Sequence, residues 1–126
     1  MLKNALRIVV TIPAVLFVVM GLRWLVNPSG IAPELGLTLE SGIGLSTQVG
    51  DLTAFFLTLG LCMLTALVTG RRSWYYPPAA LLLIAATARI IAWLVHDAAL
   101  ALNLIAPEII IATILLVASR IVPERE

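Results

Sequence analysis

Apolar and polar positions in this chain segregate into long blocks. Four apolar stretches, about Ala5–Val26, Ser46–Thr69, Pro77–Val95 and Asn103–Val122, approach the ~20 residues that a helix needs to cross a ~30 Å hydrocarbon layer. They are joined by a long connection, Asn27–Leu45, and two short ones, Gly70–Tyr76 and His96–Leu102. The pattern predicts an all-α, integral membrane four-helix bundle forming one domain over residues 1–126. The first stretch opens with Lys3 and Arg7, as a signal peptide does. Its apolar run is too long for one, and Leu22-Arg23-Trp24 follows instead of a small-x-small cleavage site. It reads as a retained helix.

Punctuation supports these boundaries. Pro77 and Pro107 are expected in first turns, where a missing N–H matters little. Pro13 falls mid-helix and predicts a kink. Gly50, Ala54, Thr58, Cys62, Ala66 and Gly70 recur every four residues in the second helix. Small residues at that spacing let helices approach closely, and packing inside the bundle is the favoured use over a dimer seam. The long connection is rich in Gly, Pro and Ser yet carries Ile31, Leu35, Leu37 and Leu39. This predicts a segment lying over the bundle mouth or in the interface, with a short helix near Pro33–Leu37. It is either a lid over a pocket or a passive cap.

Orientation follows from basic residues. Lys3, Arg7, Arg71, Arg72, Arg120 and Arg125 all fall on one side, while Glu34, Glu40 and Asp97 are the charges of the two opposite loops. The positive-inside rule puts both termini in the cytoplasm and the long loop outside. Trp74, Tyr75 and Tyr76 form an expected inner aromatic belt, with Trp24 and Trp93 near the outer interface.

Composition agrees. The 126 residues are 61% hydrophobic and 12% charged, and mean hydropathy is +1.08. A soluble domain is nearer half apolar and a quarter charged. A net charge of +1 points away from nucleic acid. A single cysteine, Cys62, excludes an internal disulfide and a cysteine metal cluster, and reads as a small apolar filler.

Against that background one ionisable residue stands inside each apolar segment: Arg23, Asp51, Arg89 and Glu108. A charge at bilayer depth costs roughly 2.5–3.5 kcal/mol on insertion scales, so such residues face the protein interior and mark a site or its scaffold. Counting ~1.5 Å per residue from the expected outer helix ends places all four in one layer, some 6–9 Å deep. The third and fourth helices are neighbours, so Glu108 is the natural partner of Arg89. Gln48 and Asp51, at i and i+3, complete the network. Trp93 and His96 share the face of Arg89, and Arg23 is close enough to its helix end to snorkel. Two readings stand: buried pairs that fix helix register, or a ligand site. Buried ion pairs rarely add net stability over apolar packing, and four ionisable groups exceed what packing needs. His96 beside Asp97 has no ordered nucleophile for a triad, and neither metal ligation nor haem ligation can be assembled around it. A faint parallel repeat links Arg23-Trp24 and Arg89 with Trp93, each followed by an outer loop and an acid.

Asn27-Pro28, Gly50, Leu57–Gly60, Ala88-Arg89, His96-Asp97 and Pro107-Glu108 together resemble the DoxX-like group of small four-helix bacterial membrane proteins, and within it an uncharacterised family. The resemblance spans nearly the whole chain. It departs at the second helix, where the family's polar position is often basic and this chain has Gln48 and Asp51. It implies a multi-pass protein of the bacterial inner membrane. The wider group includes a subunit of a thiosulfate:quinone oxidoreductase and assembly factors, so fold analogy leaves the role open.

The expected function is non-enzymatic and needs no cofactor. The bundle holds a small amphipathic or lipidic ligand, or a partner's transmembrane helix, at Arg89, Glu108, Asp51, Arg23, Trp93, His96 and Gln48. The partners expected are the lipid bilayer, a lipid or quinone, and a further copy or another membrane protein. Two alternatives remain: the anchor of a redox complex with a quinone near Arg89 and His96, and a small isomerase-type enzyme using Glu108 or Asp51 as its acid.

Overall fold

A computed structural model describes residues 1–123. The expected inner-side Arg125 lies outside the described residues. The chain folds as α1 (Leu2–Val26), α2 (Pro28–Ile31), a 3-10 turn (Ala32–Leu35), α3 (Gly42–Thr69), a second 3-10 turn (Arg72–Tyr75), α4 (Tyr76–Val95) and α5 (Leu102–Ile121). Four of these helices are long and apolar enough to cross a membrane. No β-strand occurs among the described residues.

Helix limits follow local chemistry. Gly70 (φ +67) ends α3 in the left-handed conformation that glycine adopts freely, and its N–H reaches the Ala66 carbonyl. Pro77 sits in the first turn of α4, as expected. The α3 helix begins at Gly42, four residues before the sequence signal, because Gly42 and Gly44 dilute the apolar pattern there. The α5 helix begins at Leu102, so Pro107 is interior rather than first-turn. Proline cannot donate an N–H, so the Asn103 carbonyl lacks its i+4 partner. The α1 helix runs unbroken through Pro13.

The four long helices form a ring. α1 packs along α3, α4 packs along α5, and the α1–α5 and α3–α4 seams close it. The first seam is the tightest. A Cβ added to Gly60 would stand 2.7 Å from the Ala14 carbonyl oxygen and 2.9 Å from the Val18 amide nitrogen. Gly21 is similarly pressed, with Leu57 atoms 2.8–3.1 Å from its added Cβ. Backbones this close gain dispersion contacts, which drive helix association where lipid removes the hydrophobic contrast.

This corrects the expected packing stripe of α3. Ala66 is buried, but Gly50, Ala54 and Thr58 are exposed, and a Cβ on Gly50 would meet nothing within 4 Å. The inner face instead runs through Phe56, Leu59, Gly60, Met63 and Ala66. Two aromatic expectations change as well. Trp24 and Tyr75 are fully buried, so the belt at the Arg72–Tyr75 end retains Trp74 and Tyr76. The Trp24 indole nitrogen has no hydrogen-bond partner among the described residues.

The long connection folds into the bundle rather than across it. Ile31 and Ala32 are buried and join the core. Gly36 (φ +74) turns the chain, donating to the Pro33 carbonyl at 3.1 Å while Leu37 donates to Ala32 at 2.9 Å. The expected short helix therefore lies slightly earlier, as α2 and the 3-10 turn.

The glycine contacts set a stability expectation. Gly60→Ala overpacks backbone against backbone and is expected to destabilise by about 1–3 kcal/mol. Gly50→Ala, in open space within the helix, should be neutral or stabilise by up to about 1 kcal/mol. Thermal unfolding of both variants in one detergent checks the contrast, and equal melting temperatures would contradict the Gly60 contact.

Candidate functional site

Arg89 and Glu108 meet as expected. The Arg89 Nε–H donates to both carboxylate oxygens of Glu108, at 3.0 Å and 3.2 Å. Each residue stands six positions from the neighbouring end of its helix, about 9 Å along the axis at ~1.5 Å per residue, so the two meet at one level. Glu108 is the more enclosed, its side chain 11% exposed against 35% for Arg89.

The pair lines a groove of about 190 Å³. All four long helices contribute. Leu16, Phe17 and Met20 come from α1 and Phe55 and Phe56 from α3; Leu82 comes from α4, and Leu104, Pro107 and Ile111 from α5. Leu35, from the turn after α2, supplies the remaining wall. Apart from Arg89 and Glu108, every lining residue is apolar. Leu16 and Pro107 are exposed, which puts an edge of the groove on the outer surface of the bundle beside the α1–α5 seam. Phe17 and Phe56 stack at its wall, ring centroids 6.1 Å apart, and Phe55 meets Phe56 edge-on at 5.2 Å.

The other expected members stand elsewhere. Arg23 turns to the loop. Its guanidinium donates to both oxygens of Glu34 and, at 3.1 Å, to the Gly30 carbonyl. Glu34 adjoins Leu35, so this contact tethers the segment that walls the groove. Gln48 is a second tether, not part of a charge network. Its amide nitrogen donates to the Thr38 carbonyl at 3.0 Å and its oxygen accepts the Glu40 N–H at 2.8 Å. Asp51 is exposed and does not join Arg89 or Glu108. It stands eighteen residues from the Thr69 end of α3, roughly 27 Å, whereas Arg89 and Glu108 are roughly 20 Å from the corresponding ends of α4 and α5. The single charged layer therefore divides into a paired level and a more peripheral acid.

Trp93 is 44% exposed and lies outside the groove, so it does not join the site at which it was expected. His96 ends α4 and is exposed beside Asp97, whose φ of +57 lies in the left-handed region that Asp tolerates better than most residues. The parallel repeat weakens accordingly: Trp24 is buried and Trp93 is not, and Arg23 pairs with a loop acid while Arg89 pairs with a helical one. Among the described residues no group of His, Cys, Asp and Glu could hold a metal ion.

Sequence reasoning missed Glu34 and the apolar walls. Arg23 and Glu34 are eleven residues apart, a separation that signals nothing without the turn at Pro28. The Phe55-Phe56 pair was legible as apolar but not as a groove wall.

Hydrogen bonding to Arg23 holds the Glu34 carboxyl below the usual carboxylate range. A lowered folded value means that the contact stabilises above the unfolded value of about 4.3 and is lost as pH falls through the folded one. Carboxyl-carbon NMR titration of Glu34 is expected to give a midpoint below the ordinary range, returning to it in Arg23→Gln. A midpoint that Arg23→Gln does not move would exclude the tether.

The Arg89–Glu108 pair makes a second expectation. Fully buried pairs lose ~3–5 kcal/mol when one partner is removed; the partial exposure of Arg89 lowers this to about 2 kcal/mol. Arg89→Leu should be the worse single variant, because it strands the enclosed Glu108, and adding Glu108→Leu should recover much of the loss. Unfolding of both single variants and the double variant in detergent measures this; a double variant no more stable than Arg89→Leu would contradict the pair. No family model, curated protein or solved structure matches this chain.

Proposed function

We propose that this chain is a multi-pass protein of the bacterial inner membrane, related to the DoxX-like group, whose bundle binds a small amphipathic or lipidic molecule without transforming it. The observation that carries this reading is the groove. It is apolar on every side except at Arg89 and Glu108, it has an exposed edge, and Leu35 is held against it by the Arg23–Glu34 tether. Pockets with apolar walls and few convergent polar groups are the usual form of small-molecule sites. Polar groups at membrane depth are tolerated where they line a cavity.

Of the seven residues expected at the site, Arg89 and Glu108 make the polar end. Arg23 and Gln48 act through the loop that covers it. Asp51, on the exposed face with Gly50, Ala54 and Thr58, fits a partner helix better than a ligand, since small residues permit close helix contact. The redox-anchor reading loses support because His96 stands outside the groove. An acid–base role for Glu108 is disfavoured by its engagement with Arg89.

Orientation follows the basic residues: both termini and the Arg72–Tyr75 turn are cytoplasmic, and the long loop faces out. In a Cys62→Ala background, a membrane-impermeant thiol reagent should label Ser29→Cys in intact cells and Ser73→Cys only after the membrane has been opened. The same accessibility for both cysteines would overturn the topology. For the ligand, native mass spectrometry of the chain released from membranes in mild detergent should show one retained amphiphile. Leu104→Trp, which fills the groove, should lose it. A parent protein carrying nothing would overturn the binding reading.

A further inference from the structure

Arg89 has five N–H donors arranged in a fork. Glu108 occupies one of them, the Nε–H, with both of its oxygens. Bidentate pairing more often uses two donors of the fork at once. Here the single-donor approach leaves the N–H groups of Nη1 and Nη2 without an acceptor among the described residues. Arg89 also lines the groove and remains a third exposed. A strong set of donors therefore stands at an otherwise apolar groove, and in the lipid setting proposed above, where no water is at hand, they need acceptors.

Charge decides which acceptor. Arg89 and Glu108 cancel one another. A carboxylate or phosphate brought to the Nη groups would be attracted by one and repelled by the other, and would leave a net charge in an apolar setting. A buried ion without compensation is the expensive case. An uncharged carbonyl oxygen fills the same donors and adds no charge. The groove is open at Leu16 and Pro107, toward the face where lipid itself is the solvent, and ester lipids carry carbonyls next to their chains. A volume of about 190 Å³ has room for a head and the first carbons of one chain.

We infer that the groove takes an uncharged ester lipid. Its carbonyl accepts from Nη1 and Nη2 of Arg89, and its acyl chain runs along Phe17, Phe56 and Leu82. Glu108 is the positioning residue that turns the fork into the groove and cancels its charge, which sets the preference for a neutral head. This narrows the binding reading above and rests on it.

Three probes of similar apolar character test the inference: monoolein, oleyl phosphate and decylubiquinone, each offered at pH 8 to the purified full chain and read by native mass spectrometry. The parent is expected to retain monoolein at least tenfold over the other two. Arg89→Lys keeps the charge but gives its single ammonium to Glu108, and should lose monoolein at least tenfold. Glu108→Gln leaves the guanidinium uncompensated and should shift the preference toward oleyl phosphate at least tenfold. A parent that prefers oleyl phosphate or decylubiquinone overturns the inference and leaves the groove as a ligand site. So does an unchanged preference in a folded Glu108→Gln variant. A parent that retains none of the three overturns both. The parent's own selectivity decides the matter if neither variant folds.

Discussion

The contact between α1 and α3 at Gly60 governs how the rest of the bundle is spaced. With no side chain on Gly60, the Ala14 carbonyl and Val18 amide come within van der Waals range of the α3 backbone. That makes α1 and α3 one tight hairpin despite the long connection between them. The other hairpin, α4 with α5, is held differently, by a short loop and an ion pair across the half nearer that loop. Two hairpins of unequal tightness cannot close evenly around a common axis. The residual space appears where α1 faces α5, and Phe55 and Phe56 stand at its wall.

The ion pair has two consequences in this setting. It aligns α4 with α5, because a carboxylate with 11% of its side chain exposed has few ways to satisfy its charge other than its neighbour. It also keeps the space from being wholly apolar. An apolar pair at these positions would pack as well or better in energetic terms, and would leave nothing to orient a ligand. The fold therefore carries a polar element that stability alone does not require, placed at a cavity that all four long helices share.

Much of this was legible in the chain. The four helices, the first-turn Pro77 and the partnership of Arg89 with Glu108 all follow from segment length, proline's tolerance in first turns and the short loop that makes α4 and α5 neighbours. The failures have separate causes. Helical phase tells which residues share a face, but not which face turns inward. The stripe Gly50, Ala54, Thr58 has the spacing of a packing surface and points out, while the contact runs through Gly60, two residues on from Thr58 and so about 160° around the helix from it. Depth was misjudged for Asp51 because α3 begins four residues before its apolar signal, which moves the reference end. Arg23 was placed in the charged layer because the loop carrying Glu34 gave no sign of folding back.

The loop itself is tied down on both sides of Leu35: by Arg23 acting on Gly30 and Glu34 before it, and by Gln48 acting on Thr38 and Glu40 after it. A flap hinged at one end swings; a strap anchored at both ends can only bow. Leu35 can therefore give way by a limited arc set by the few residues between its anchors. For the ligand proposed above, the width of the groove beneath it would then act as a gauge, admitting slender heads and turning away bulky ones without any residue having to recognise them.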